Sequence, residues 1–323
     1  MFATSLVIGL VAIGSMVRAR VDVRENPAEI LQHLLALEDQ ESQRPKTLSV
    51  AQQEQGLVVD NRPQILAAAY AEHVRPLLAE SFLVGATQQE LDQLFKAAQI
   101  TAFYTFDRQH VADMARLLHL MSERGMDVGH HVSEMYKALV AVRLLDQARE
   151  FAVGHQLQEP ESLPTLQLAQ DYSAELPSVL APQAGGRSLI RRNVDMGLGI
   201  HIVAVVHPFC HFSQAAMAAV LADREIFLLF KARTTWLVTP DGRIDYDVVQ
   251  QWNLQHPQLE FSLTYSPAEW PGLDYWGTPT FYFFENGVIK RKVVGWPPSG
   301  GKAKLMKVAG EMGLLSFQEQ VTP

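Results

Sequence analysis

The chain has 323 residues, 48 % of them hydrophobic and 19 % charged, a globular balance that excludes wholesale disorder and a multi-span membrane protein. At about 150 residues per domain, the length holds two domains. With 27 Lys and Arg against 35 Asp and Glu the net charge is −8, so a nucleic-acid partner held by phosphate contacts is not expected. Cys210 is the one cysteine of the chain. That excludes an internal disulfide framework, a four-cysteine zinc site and a self-contained dithiol pair, and any thiol chemistry needs a second partner.

Phe2 to Val17 form an apolar run, and Val17-Arg18-Ala19 offers small residues at the positions a signal peptidase reads. Residues 1–19 are therefore expected to be a signal peptide, with export to the periplasm or envelope. The run is short for a spanning helix, which needs about 20 apolar residues. No Lys or Arg precedes it, while Arg18, Arg20 and Arg24 follow; a buried N-terminal helix is the alternative.

Residues 20–157 are expected to be an all-α domain of helical hairpins. Residues 21–60 are Gln/Glu-rich, with helical spacing at Ile30, Leu31, Leu34, Leu35 and Leu37. Thr87-Gln88-Gln89-Glu90 has the pattern of a capping box. From there Leu91, Leu94, Phe95, Ala98 and Phe103 keep helical spacing. Asp107 caps a second helix that Gly125 ends. Val132 to Val142 and Leu144 to Ala152 carry two more, and the short connections make neighbours antiparallel. Residues 85–157, with "MYKALVAVRLLDQAREFA", weakly resemble tetratricopeptide-type helical pairs. That implies a docking surface for a partner, or a cap that merely buries itself. His130 and Glu134 stand i, i+4 with His131 beside them, but no third ligand is evident, so a solvated helix face is expected rather than a metal site.

Residues 158–186 hold Pro160, Pro164, Pro177, Pro182, Gly185 and Gly186 and are expected to be a linker. Beyond it, residues 187–316 read as an α/β domain with a central mixed sheet flanked by helices. Strands are expected at Ser188–Val194, Ile200–Val206, Thr235–Thr239, Leu259–Tyr265, Thr280–Phe284 and Val288–Val294. The run "IHIVAVV" fits a strand buried on both faces. Asn286-Gly287 marks a hairpin, and Lys290, Arg291 and Lys292 suit a protected sheet edge. Helices are expected at Ser213–Ala222, Tyr246–Leu254 and from Ser299 onward.

Chemistry concentrates in "IHIVAVVHPFCHFSQAAMAAVL". A buried strand runs into a bend, and Cys210 sits where a helix begins. Free backbone N–H groups and the positive end of the helix dipole favour a thiolate there, and such cysteines fall from about 8.5 to between about 3.5 and 7.5. Ser213 returns to the same face after one turn, so its hydroxyl can donate to the sulfur. His207 and His211 flank the thiol and, protonated, would stabilise its anion. The alternative for Cys210 is a small buried hydrophobe.

At this point the chain resembles the thioredoxin-like superfamily, best its exported, cytochrome-maturation type. Phe209 stands at the aromatic position, Cys210 at the nucleophile and Met217 at the helix methionine. Trp276-Gly277-Thr278-Pro279-Thr280-Phe281 looks like the family's cis-proline loop, followed by "GVIKRKVVGWP" for its terminal hairpin. The resemblance implies that Thr278 and Pro279 lie against the nucleophile and shape a client groove, which Phe209, Phe212 and Trp276 line. It implies a protein client with a thiol or disulfide, an external thiol reductant and no cofactor. The departure is Ser213, where the family has its second cysteine, which resolves the mixed disulfide. The expected activity is therefore monothiol thiol–disulfide exchange, by client reduction or disulfide shuffling. A non-catalytic thioredoxin-fold binding or assembly module is the alternative. Cys-His-Phe-Ser also resembles the Cys-Gly-Phe-Ser of monothiol glutaredoxins, which implies an iron–sulfur carrier, but their Gly-Gly-x-Asp glutathione contact is not matched at Gly300-Gly301-Lys302-Ala303.

Overall fold

The structure is a computed structural model, and it describes residues 26–47, 58–157, 162–231 and 233–314. The expected signal peptide lies outside the described residues. Among those described, no helix is long and apolar enough to cross a membrane.

The first half is helical. α1 spans Pro27–Thr47. It starts because Asn26 accepts the Ala28 N–H at 3.0 Å and because Pro27 has no N–H to leave orphaned. α2, Arg62–Ala69, passes without a break into a π turn at Tyr70–Val74 and a 3-10 turn at Arg75–Leu78. Pro76 cannot donate to the carbonyl of Glu72, so the winding changes there. After the short α3, Glu80–Leu83, come α4 at Gln88–Thr105, α5 at Arg108–Glu123, α6 at Gly129–Ala141 and α7 at Leu145–Gly154. The capping box is formed: Glu90 donates its N–H to the Thr87 hydroxyl at 3.3 Å, and Glu90 Oε2 accepts the Thr87 N–H at 2.7 Å. Such a cap contributes about 1 kcal/mol. Asp107 caps α5 through Gln109 at 2.8 Å. At its far end Gly125 takes φ 66°, and Met126 N–H reaches back to Met121 at 3.0 Å, closing the last turn with a left-handed residue.

Among the described residues the second half is a mixed sheet of eight strands: β1 Thr165–Leu168, β2 Ser178–Pro182, β3 Ser188–Asn193, β4 Ile200–Val206, β5 Thr234–Val238, β6 Phe261–Thr264, β7 Thr280–Glu285 and β8 Val288–Val294. Their spatial order is β1-β3-β2-β6-β5-β4-β7-β8. β4, β5 and β6 run parallel, while β7 is antiparallel to β4 and β8 to β7. The helices are α8 His211–Ala222, α9 Arg224–Lys231, α10 Tyr246–Gln255 and α11 Lys302–Glu311. The β7–β8 turn takes positive φ at both central residues, 51° at Asn286 and 77° at Gly287, as a tight hairpin requires.

β4 is buried on both faces, as its unbroken apolar run implies. Ile202, Ala204 and Val206 point into the larger core, and Val203 and Val205 into a smaller one with Val179, Leu237, Tyr282 and Phe284. The larger core runs continuously from Leu34 and Phe95 in the helical half to Trp236 and Phe281 in the sheet.

The stretch 158–186 is not a plain linker. It supplies β1 and β2, and β2 inserts between β3 and β6 with Val179 and Leu180 fully buried. Its five residues, closed by a proline and preceded by another, read as punctuation. Partners from β3 and β6, far along the chain, override that local signal.

Candidate functional site

The site is built from one turn. His207-Pro208-Phe209-Cys210 closes with the Cys210 N–H on the His207 carbonyl at 3.0 Å, and Pro208 supplies the fixed φ such a turn favours at its second position. Cys210 is the N-cap of α8, with an extended backbone at φ −79° and ψ 117°. The Gln214 side chain donates to the Pro208 carbonyl at 2.8 Å and ties the turn to the first coil of the helix.

Cys210 is partly exposed. Partial burial pushes its thiol up. Hydrogen bonds from the Thr278 side chain, from the Ser213 N–H and hydroxyl and from the Phe212 N–H outweigh that and hold it below the usual thiol range. The sulfur also lies 3.4 Å from the Thr278 carbonyl oxygen. Only the protonated thiol can use that acceptor, so the carbonyl favours the thiol while the donors at the helix start favour the thiolate, and the donors win.

Ser213 is buried, at 2 % exposure. The His207 N–H donates to its Oγ at 3.3 Å, which leaves the hydroxyl proton for the sulfur. His207 itself turns away from the thiol. Its Nδ1 accepts the Phe209 N–H at 3.3 Å, so the proton sits on Nε2 and is donated to Asp241 Oδ2 at 3.1 Å. His207 therefore braces the turn and is not placed as a charge beside the sulfur, because both ring nitrogens are engaged. Burial pushes Asp241 up, but hydrogen bonds from the His207 ring and the Arg243 N–H and the charge of Arg143 hold it below the usual carboxylate range. His211 is solvent-facing and stacked on Phe212, ring centroids 3.8 Å apart.

Phe209 and Phe212 remain 52 % and 41 % exposed beside the thiol, so two aromatic faces lie open to an incoming chain. The Arg243 guanidinium sits 5.4 Å from the Phe209 ring centroid. The Thr278–Pro279 peptide bond is cis. Pro279 is buried and Thr278 half-buried. Trp276 packs against the smaller core. A groove of about 330 Å³ opens beside the bend, with Pro208, Ser213 and Met217 on one side and Val248 and Trp252 on the other.

Sequence reasoning missed Asp241, Gln214 and Arg243. The only signal for Asp241 was its place in Pro240-Asp241-Gly242, which reads as a turn. Among the described residues, the ligand atoms of His207, Asp241 and Asp245 lie within 4.8 Å of one another. Asp245 is ion-paired with Arg243 at 3.1 Å, so with the His207 ring also engaged this is a neutralised polar brace.

The pair His130-His131 splits. His130 is exposed as expected, but His131 is buried against Phe95 and shares a 2.7 Å hydrogen bond with Asp92. A single residue step, about 100° around the helix, separates a solvated position from a core one, and the expected solvated face is corrected for His131.

No protein-family model and no curated protein matches the sequence. Two solved structures match. One is a candidate thioredoxin from Neisseria meningitidis, 17 % identical with a TM-score of 0.28, the match covering 43 % of this chain and 92 % of that one. The other is a thioredoxin-like protein from Bacteroides caccae ATCC 43185, 11 % identical with a TM-score of 0.29, covering 94 % of this chain and 99 % of that one. The C-terminal half has a thioredoxin-like fold on its own topology: β4, cysteine, α8, parallel β5, then the antiparallel β7–β8 hairpin and α11, in the order β5-β4-β7-β8.

Proposed function

We propose that this chain is an exported thioredoxin-like protein that performs monothiol thiol–disulfide exchange through Cys210. The carrying observation is a partly exposed sulfur at the N-cap of α8, 3.4 Å from the Thr278 carbonyl of the cis-proline loop and held below the usual thiol range by the groups of Thr278, Ser213 and Phe212 around it. The Cys210 thiolate attacks one sulfur of a client disulfide. A new S–S bond forms, the client bond breaks, and its other sulfur leaves as thiolate. With no second cysteine in the chain, the client's own thiolate or an external low-molecular-weight thiol then attacks the mixed disulfide and restores Cys210. The first route shuffles disulfides with no net redox change. The second reduces the client with two external thiols: one attacks the Cys210 sulfur of the mixed disulfide and frees the client's remaining thiolate, and another attacks the resulting adduct, restoring Cys210 and leaving the external thiol as its own disulfide.

Phe209 and Phe212 supply an apolar rim, Thr278 and Pro279 shape the groove against the sulfur, and the groove beside Met217 and Trp252 takes an apolar client side chain. The helical half docks a partner. Residues 1–19 direct export, which N-terminal sequencing of the mature protein checks. For the exchange itself, purified protein is alkylated with iodoacetamide across pH, and envelope extracts of wild type and Cys210→Ala are run on non-reducing gels. The expected results are an alkylation midpoint below that of a free thiol and a covalent client adduct only in wild type. A thiol inert near neutral pH in a folded protein ends this reading.

The single cysteine favours one competing reading, a non-catalytic binding or assembly module. It predicts no covalent adduct and a Cys210→Ala strain indistinguishable from wild type.

A further inference from the structure

The chain is acidic overall, yet residues 288–310 contain Lys290, Arg291, Lys292, Lys302, Lys304 and Lys307 and no Asp or Glu. The fold gathers most of these around one open strand. β8 ends the sheet, and among the described residues no strand pairs with its outer edge. That edge lies in a trough of about 1070 Å³ walled by α11 on one side and by the Pro271–Asp274 loop on the other.

The two walls differ. Arg291 pairs in register with Phe283, whose side chain belongs to the larger core, so Arg291 points to the α11 side and reaches Glu311 at 3.2 Å. Lys304, Lys307 and Glu311 follow helical spacing along that wall. It therefore carries three cations against one acid. On the other wall Ile289 pairs with Phe284 and packs with the smaller core, beside Pro271 and Gly272. That wall is apolar until Asp274, which Lys292 neutralises at 2.7 Å. Charges on an edge strand guard against unwanted pairing. A guard needs only the strand, whereas here the helix supplies two of the cations.

The geometry points to a docking site for an extended acidic segment of a partner protein, added as a strand on the outer edge of β8. Strand addition satisfies the open backbone groups, and successive side chains of the added strand face opposite walls. The segment that fits alternates acidic residues toward Arg291, Lys304 and Lys307 with apolar residues toward Ile289 and Pro271. The trough shares no residue with the Cys210 site, so its occupancy is independent of the exchange chemistry.

The test uses the full chain and a fluorescein-labelled twelve-residue peptide of alternating Glu and Val, read by fluorescence anisotropy. Saturable binding is expected, weakened about tenfold between 50 and 500 mM salt and about tenfold by Lys304→Glu/Lys307→Glu. The milder Lys307→Ala weakens it severalfold, and circular dichroism confirms that both variants fold. A block peptide with all Glu before all Val, and an alternating peptide N-methylated at every second amide, bind about tenfold more weakly because they lose the two-faced pattern or the backbone pairing. Cys210→Ala binds like wild type. Equal binding of the block or N-methylated peptide overturns strand addition. No saturable binding below millimolar peptide overturns the site, as does capture by anionic lipid vesicles in place of the peptide.

Discussion

Arg143, in the turn between α6 and α7, donates its Nε–H to the carbonyl of Thr264 at 3.1 Å. Thr264 ends β6, and β4, β5 and β6 run parallel, so Val206, Val238 and Thr264 finish at one end of the sheet. Cys210 follows β4 at that end and Asp241 follows β5. The helical half is thereby mounted at the thiol end, and Arg143 also adds to the field that keeps Asp241 ionised.

Arg143 is buried at 3 % exposure, with φ 60° and a second bond from Nη1 to Val140 at 3.2 Å. Removing it strands the buried carbonyl of Thr264. Hydrogen bonds from a charged group contribute about 1.5–3 kcal/mol, so Arg143→Met is expected to lower unfolding stability by about 2 kcal/mol, with Arg143→Lys intermediate because an ammonium cannot reproduce the guanidinium fork. Urea titration measures this, and two variants as stable as wild type would show that the contact holds nothing.

The thiol and the Ser213 hydroxyl give a second expectation. Loss of that donor in Ser213→Ala shifts the Cys210 alkylation midpoint toward the ordinary thiol value and slows alkylation at neutral pH severalfold. The same change takes the acceptor from the His207 N–H, at a stability cost of about 1–3 kcal/mol. Ser213→Thr keeps the hydroxyl and restores the midpoint. A midpoint that does not move in a folded Ser213→Ala protein would place the anion's stabilisation entirely in the backbone.

Acid sensitivity follows from a buried histidine, His110, and a half-buried one, His201. Burial lowers the pKa of His110, with the charges of Asp107 and Asp113 opposing, and lowers that of His201 against the charge of Asp195. A depressed folded value means the unfolded chain takes up protons first. The stability these rings contribute is fully present above the unfolded histidine pKa, about 6.5, and is lost as pH falls through the folded values. Thermal midpoints are expected to drop between pH 7 and 5, with a shallower slope in His110→Gln. A slope unchanged by that substitution removes His110 from the account.

Much of this was legible in the residues. The capping box at Thr87, the Asp107 cap, the β4 run and the Asn286-Gly287 hairpin are local signals, and each formed as read. The Cys210 bend was legible for the same reason: strand, Pro208 and helix start are contiguous. What escaped depends on distance along the chain. β2 exists because β3 and β6 flank it. α9, whose N-cap Asp223 accepts from Glu225 at 3.0 Å, was not assigned beside the longer apolar helix before it. His207 was expected to face the thiol, and its ring turned instead to Asp241, a partner that lies beyond β5 in sequence.

The position of Ser213 makes one substitution especially informative. Ser213 lies one turn into the helix that Cys210 caps, and its side chain helps hold the thiol below the usual range, so Ser213→Cys places a second sulfur one turn along the same helix, within reach of a mixed disulfide on Cys210. That sulfur can attack the Cys210 sulfur, release the client thiolate and leave an internal disulfide between Cys210 and the introduced thiol. Two changes are expected together. The covalent client adduct that wild type accumulates should largely disappear on non-reducing gels, and an oxidised preparation should lose two titratable thiols per chain that dithiothreitol returns. Persistence of the adduct at wild-type levels in a folded Ser213→Cys protein would show that the second position does not face the reacting sulfur. The same gels carry Cys210→Ala/Ser213→Cys, in which the new thiol stands alone. An adduct there would move the nucleophile from the cap of α8 into its first turn.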